Sequence, residues 1–189
     1  MVEFTFVSGD VALDLAGTVM HRRTDRQDLL TAPADLAGWI AAAGLLTAAP
    51  QVDAAGLAAA VDLREAIYRS ALNAAHGRPP APADIEVINR AAVPAPPVPA
   101  LTTGDTDTGG GGGGMGVRRE GDLTGALAAV ARAAVELLGG HDARHVKECQ
   151  ADRCTRLYLD LSRRQSRRWC DMSGCGNRAK AAAFRARHK

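Results

Sequence analysis

Apolar and polar positions along this chain recur mostly with a helical period. In GDVALDLAGTVMHRR, Val11, Leu15, Thr18 and Val19 fall on one face, which predicts a helix just after Asp10. TAPADLAGWIAAAGLL predicts a second one. Leu36, Trp39, Ile40 and Ala43 make its apolar face, Thr31 lies near its cap, Pro33 in its first turn and Gly44 at its stop. A long helix is expected from Ala54 to His76, with Leu57, Val61, Tyr68 and Leu72 on one face and Leu63 and Ile67 beside it. Gly77 and the Pro79–Pro80 pair end it. A shorter helix is expected from about Ala83 to Ala92. The last strong pattern runs from Asp122 to Leu138, with Leu123, Leu127, Val130, Ala134 and Leu138 in register and Gly139–Gly140 as the stop.

Strand signals are fewer. Phe4 and Phe6 alternate in the opening FTFV, which reads as a short strand. Prolines 94, 96, 97 and 99 forbid helix, and Pro99–Thr103 and Met115–Arg119 are expected to pair as a hairpin. Six glycines at 109–114 lie between them. They lack the fixed Lys and Ser/Thr of a phosphate loop, so they read as a flexible connection. His21, His76 and His141 stand apart in sequence and are assigned surface or cap roles rather than ligation.

The chemistry gathers near the end. Cys149 and Cys154 form one C-x4-C pair and Cys170 and Cys175 a second, fifteen residues later. Two short-spaced thiol pairs suit a structural zinc site: each pair makes a tight turn aiming two sulfurs at one ion, and an intervening strand pair would join the halves. Two disulfides are the competing arrangement, disfavoured in a reducing compartment, and a redox pair would more commonly be C-x-x-C. In TRLYLDLS, Leu157, Leu159 and Leu161 alternate with Tyr158 and Asp160. Trp169 is placed to shield the metal, and Gly174 and Gly176 flank Cys175 where the backbone must close on the ion. A helix is expected from Asn177, with Phe184 anchoring it to the finger's small core. Knuckle, hairpin and helix together describe a treble-clef-like finger.

Composition and charge sharpen this division. The 189 residues hold only 4% aromatics, and their alanine richness favours helices. The length allows one full core and a small second module. No apolar run reaches the ~18 residues of a membrane span, and MVEFTFVSGD lacks the basic start of a secretory signal. A soluble cytoplasmic protein without a membrane partner is therefore expected. From Arg144 onward there are 13 Lys/Arg against 4 Asp/Glu, whereas the preceding residues hold 10 against 17. A basic end on an acidic body points to a polyanionic partner, or to docking of one on the other. Arg163, Arg164, Arg167 and Arg168 lie before the second cysteine pair. On an ideal helix, Arg178, Arg185 and Lys189 would share one stripe, with Lys180 and Arg187 nearly opposite.

CQADRC followed by LYLDLSRRQSRRWCDMSGCGNRAKAAAFRAR resembles the CGNR zinc-finger family, whose name is the run Cys175-Gly176-Asn177-Arg178. The likeness spans Cys149 to Arg187 and includes Asp160 to Arg163, Arg167–Arg168–Trp169 and Lys180. It implies an α+β ABATE domain ahead of the finger and a stress-linked transcription regulator. LDLAGT at Leu13–Thr18 and the helix pattern after it are similar in outline. Gly17 departs from the resemblance, because the family commonly has Asn there, and any ligand or capping role of that Asn is absent here.

The expected fold is thus α+β: a helix-rich N-terminal domain with a small sheet or hairpin over residues 1–142, then a treble-clef-like finger over 143–189. One structural Zn2+ is expected on Cys149, Cys154, Cys170 and Cys175. DNA is the expected partner, met by Arg163, Arg164, Arg167, Arg168, Arg178, Lys180 and Arg185. The N-terminal domain would sense a small-molecule ligand or mediate homodimer formation. A protein-interaction or RNA-binding finger is the alternative. The first 140 residues show no nucleophile–base pair, so no enzyme is expected.

Overall fold

The computed structural model describes residues 3–103 and 115–187, and among them six α-helices and three two-stranded antiparallel sheets form an α+β fold. The glycine run at 109–114 and Lys189 lie outside the described residues.

Helix α1 (Val11–Ala16) starts where Asp10 accepts a hydrogen bond from the Ala12 amide at 2.8 Å. It is shorter than its spacing predicts. The Thr18 hydroxyl donates back to the Leu15 carbonyl at 2.7 Å, and the β-branched Val19 enters β1 (Val19–Met20) instead, paired with β2 (Gln27–Asp28). Helix α2 (Pro33–Ala42) is closed at its start by Asp35, which accepts from the Thr31 and Ala32 amides, both at 2.9 Å. The capping carboxylate therefore comes from inside the helix, and Thr31 only adds its hydroxyl. Gly44 ends this element at φ +68°, a conformation that favours glycine.

Helix α3 (Ala54–Ala75) is the central element, capped by Asp53. Its most buried line is Ala60, Leu63, Ile67 and Ala71, beside the expected Leu57–Val61–Tyr68–Leu72 face, of which Tyr68 is buried and the other three are half-buried. The reason is packing on several sides: α1, α4 (Pro82–Ala92), α5 (Leu123–Gly139) and β5 (Val146–Glu148) all press on α3. Arg64 is fully buried within this packing and forks onto Asp28 with bonds of 2.6 and 2.8 Å. The hairpin β3 (Pro99–Thr103) and β4 (Met115–Arg119) pairs as expected, Leu101 opposite Val117.

After α5, a 3-10 turn at His141–His145 leads into β5, which pairs with β6 (Leu157–Leu159). Two predicted details change here. The strand pair does not separate the two cysteine pairs; it brackets the first, whose residues form the tip of the β5–β6 hairpin. The opening FTFV does not form a strand. It meets the finger instead: its Thr5 carbonyl accepts from Arg156 and its Val7 carbonyl from Arg167, and the next residue, Ser8, accepts from the Leu159 amide at 2.7 Å. Helix α6 (Asn177–Arg187) closes the described chain.

The period-2 pattern of β6 joins the two halves of the protein. Leu157 and Leu159 point into the same core as Leu13, Leu63 and Ile67, while Tyr158 packs on the other side with Cys149, Cys170 and Cys175. Burial of each leucine contributes about 2 kcal/mol to that common core. Leu161, the third of the alternating leucines, is 64% exposed and lies past the end of the strand.

Candidate metal centre

Each cysteine pair is held by its own backbone turn. In the first, the Cys149 amide donates to the Arg156 carbonyl at 3.0 Å and the Cys154 amide to Ala151 at 3.1 Å, with Arg153 left-handed at φ +62°. In the second, residues Met172–Gly176 make a wide π-type turn that runs directly into α6. Asp171 caps it, accepting from the Gly174 amide and the Ser173 hydroxyl. A Cβ at Gly176 would fall 2.9 Å from the Met172 sulfur, so glycine there allows the close turn.

These turns bring four sulfurs together: the Sγ atoms of Cys149, Cys154, Cys170 and Cys175 all lie within 4.8 Å of one another. Cys154 to Cys170 is 3.9 Å and Cys170 to Cys175 is 3.7 Å. A disulfide needs about 2.05 Å, so these are not bonded pairs. Sulfurs ~2.3 Å from a tetrahedral zinc stand about 3.8 Å apart, and the observed spacing fits that geometry. The donor chemistry agrees. Without a cation the thiols compete for protons: hydrogen bonding from Cys154 and Cys170 pushes the Cys149 thiol down to about 2. The same contacts push Cys154 up to about 12 and Cys170 up as well. A single dication removes the conflict by holding all four as thiolates. The cluster is thus consistent with one structural zinc, and with four protein ligands no position is open for substrate.

Partners around the sulfurs offset the negative charge of such a centre. The Cys170 amide donates to Cys149 Sγ at 3.3 Å, and Arg178 Nη2 reaches Cys175 Sγ at 3.0 Å. Trp169 packs against the cluster, half-buried, as its position before Cys170 implies. Arg168 lies over its ring at 5.4 Å.

Asp160 organises the segment between the pairs. It is 1% exposed and accepts from Lys147 Nζ at 2.7 Å, the Ser162 hydroxyl at 2.6 Å and the Arg167 amide at 3.1 Å. Burial pushes its carboxyl up, but the Lys147 and Ser162 donors outweigh this and hold it well below the usual carboxylate range.

The seven basic residues singled out by sequence do not behave alike. Arg163, Arg164, Lys180 and Arg185 are exposed. Arg168 is exposed too, but its Nε donates to Gln150 at 2.9 Å. Arg178 is turned toward the metal centre. Arg167 differs from the rest of the set. Its guanidinium donates to the Trp169 carbonyl at 2.8 Å and to the Cys170 carbonyl, reaches Val7, and lies 4.6 Å over the Tyr158 ring. With its donors turned inward, it is a strut of the finger rather than a free contact. Phe184, expected to anchor the helix, is 58% exposed.

Residues outside the sequence-derived set, Arg156 and Thr155 among them, hold the finger to the body. Arg156 donates to the Thr5 carbonyl at 3.2 Å, Ser8 Oγ at 3.3 Å and the Gly17 carbonyl at 3.4 Å, and lies 3.7 Å from Asp14. Thr155 Oγ1 accepts from the Arg22 amide at 3.1 Å. Partners 133 residues or more apart leave no local pattern, so sequence spacing had no means of finding them.

A helical domain sharing its core with a four-cysteine finger defines a class, a zinc-finger protein whose metal centre is structural. Family models match both segments in turn: ABATE, described as "Putative stress-induced transcription regulator", over residues 9–141, and the CGNR zinc finger over residues 145–188. The chain belongs to the ABATE family and carries a CGNR zinc finger at its C-terminal end. No curated protein matches the chain. Among the described residues, no helix is long and apolar enough to cross a membrane.

Proposed function

We propose that this protein is a non-catalytic regulator of transcription whose zinc finger binds duplex DNA and whose N-terminal domain receives the signal. The observation that carries this reading is the exposed cationic set on the finger. Arg163, Arg164, Lys180 and Arg185 face solvent and, among the described residues, form no ion pair with a carboxylate. Arginines free of internal partners suit phosphate and base-edge contacts. The family description supports the regulatory half.

A signal could enter through an apolar pocket of about 220 Å³ between α3, α4 and α5. Ser70 lines it, and its buried hydroxyl has no hydrogen-bond partner. Such a pocket suits a small, mostly apolar molecule with one polar group.

The testing experiment is in-vitro selection from random duplexes with the zinc-loaded protein, followed by binding at several salt concentrations. An enriched motif and affinity that falls steeply with salt are expected. Failure to retain duplex DNA at low salt would refute the DNA reading. It would favour the second one, a protein-interaction finger, which the finger's shared core with the N-terminal domain also suits.

A further inference from the structure

Arg178 and Arg185 are exposed and lie on one face of α6. That face forms one wall of a cleft of about 470 Å³, whose other wall is the first knuckle with Arg153. Ala151, Ala181 and Ala182 line it between these walls. Arg153 and Arg185 therefore border a floor of small side chains, Arg178 lines it with its guanidinium on Cys175 Sγ, and Asp152 is the one carboxylate among the lining residues. The geometry decides between the two basic stripes of α6: Arg178 and Arg185 face the cleft, whereas Lys180 is not among its lining residues.

Arg153 was not singled out by sequence, yet its position is built. Its left-handed backbone, φ +62°, turns the knuckle tip, and its side chain is 62% exposed. The partner it has is the Asp25 carboxylate of the N-terminal domain, 4.0 Å from Nη1 and itself 56% exposed. Exposed pairs of this length are weak and exchange readily. Asp25 also lies 3.6 Å from His21 Nδ1, and His21 borders the same cleft. The N-terminal domain thus sets an anionic group beside the finger's cleft, at the arginine a phosphate would reach.

We infer that this cleft takes the sugar–phosphate backbone of duplex DNA, that Arg153 is one of its phosphate contacts, and that Asp25 is an intramolecular competitor for that arginine. The inference rests on the DNA-binding reading and adds a location, a residue and a point of regulation. The Asp25 loop follows β1, which α1 precedes, so a shift in the N-terminal domain changes how strongly Asp25 holds Arg153. That is a route from signal to DNA affinity that needs no rearrangement of the metal centre.

The test measures fluorescence anisotropy of a labelled random-sequence duplex with the zinc-loaded full chain, from 50 to 300 mM salt. Counterion release is resolved over a range on the order of 50 to 200 mM salt. Arg153→Ala keeps the same backbone cost at φ > 0, so its fold should persist, and zinc content checks this. Arg153→Ala and Arg185→Ala are each expected to weaken binding several-fold and to make the slope of log affinity against log salt shallower by about 0.9. Asp25→Asn is expected to act in the opposite direction, tightening binding about two- to three-fold. Arg90→Ala, on the exposed side of α4, controls for bulk charge and should leave the slope unchanged. If the wild type binds with a salt slope but Arg153→Ala matches Arg90→Ala, the cleft assignment is overturned while the DNA reading stands. If Asp25→Asn fails to tighten binding, the competition is overturned. If the wild type shows no salt-dependent binding, or structured RNA displaces the duplex at far lower concentration, the DNA reading falls and takes the inference with it.

Discussion

The guanidinium of Arg156 occupies the space that a side chain at Gly17 would need: a Cβ there would fall 2.6 Å from Nη1 and 3.0 Å from Cζ. Gly17 has an ordinary helical φ of −73°, so the requirement is steric and not conformational. In this chain the end of α1 thus accommodates an arginine from the finger.

Gly17→Ala or Gly17→Asn is therefore expected to displace Arg156 from Thr5, Ser8 and Gly17 and to cost about 1–2 kcal/mol. The effect should be clearly sub-additive with Arg156→Ala, since both changes remove the same contacts. Urea unfolding of the two single variants and the double variant measures this. Full additivity would show that position 17 does not act through Arg156.

Removal of zinc is expected to weaken the whole chain and not only its end, because Leu157 and Leu159 lie in the core shared with α1 and α3. Structural zinc sites contribute on the order of 10 kcal/mol to folding. Chelation should red-shift the emission of the wild type and lower its unfolding midpoint. In Trp169→Phe the early spectral change should be lost, since the remaining Trp39 is buried in the N-terminal core. Cys175→Ser should lower the zinc content from one per chain, as read by elemental analysis.

Asp160 predicts a pH dependence of definite sign. Its carboxyl is held below its ordinary value in the folded state. Its stabilising contribution is therefore fully present above the unfolded value of about 3.9 and is lost as pH falls through the lower folded value. Stability should decline below about pH 4. Asp160→Asn should be less stable near neutrality, by about 2 kcal/mol, and should show a smaller acid-dependent loss. Urea midpoints from pH 3 to 7 check this, with zinc content followed in parallel because acid also protonates the thiols.

Arg167 should separate structure from binding. Arg167→Ala is expected to cost about 2 kcal/mol, because carbonyls of Trp169 and Cys170 lose a charged donor. Arg167→Lys should not restore it, since an ammonium cannot reproduce the planar fork or lie flat over Tyr158. If the protein binds DNA, the salt slope should be unchanged in both variants. A slope shallower by about 0.9 would return Arg167 to the phosphate contacts.

Local physics explains what was legible in the chain. Helices α2, α4 and α5 and the β3–β4 hairpin were readable because each carries its own period and its own Pro, Gly or Asp punctuation. The metal centre was readable for the same reason: thiol pairs spaced by four residues close their own turns, whatever surrounds them. Helix α1 was over-extended because Thr18 and Val19 fit a helical face, and only the pairing of β1 with β2 shows which alternative wins. The buried line of α3 was centred on Leu57 and Val61 instead of on Leu63 and Ile67 beside them, because periodicity assumes one packed side, whereas α3 is packed on several.

The sequence by itself determined the α+β class, the four thiols, their fitness for one zinc and the concentration of cations around them, since these follow from residue type and short-range spacing. Only the tertiary structure decided which cations are available. Arg167 and Arg156 are drawn inward, Arg178 lies against Cys175, and Arg153 stands at the cleft facing Asp25. An arginine's role depends on which acceptors the fold brings within reach: Arg178 and Arg167 find Cys175, Trp169 and Cys170 close by in the chain, whereas Thr5, Val7, Ser8 and Asp25, which meet Arg156, Arg167 and Arg153, are more than a hundred residues away.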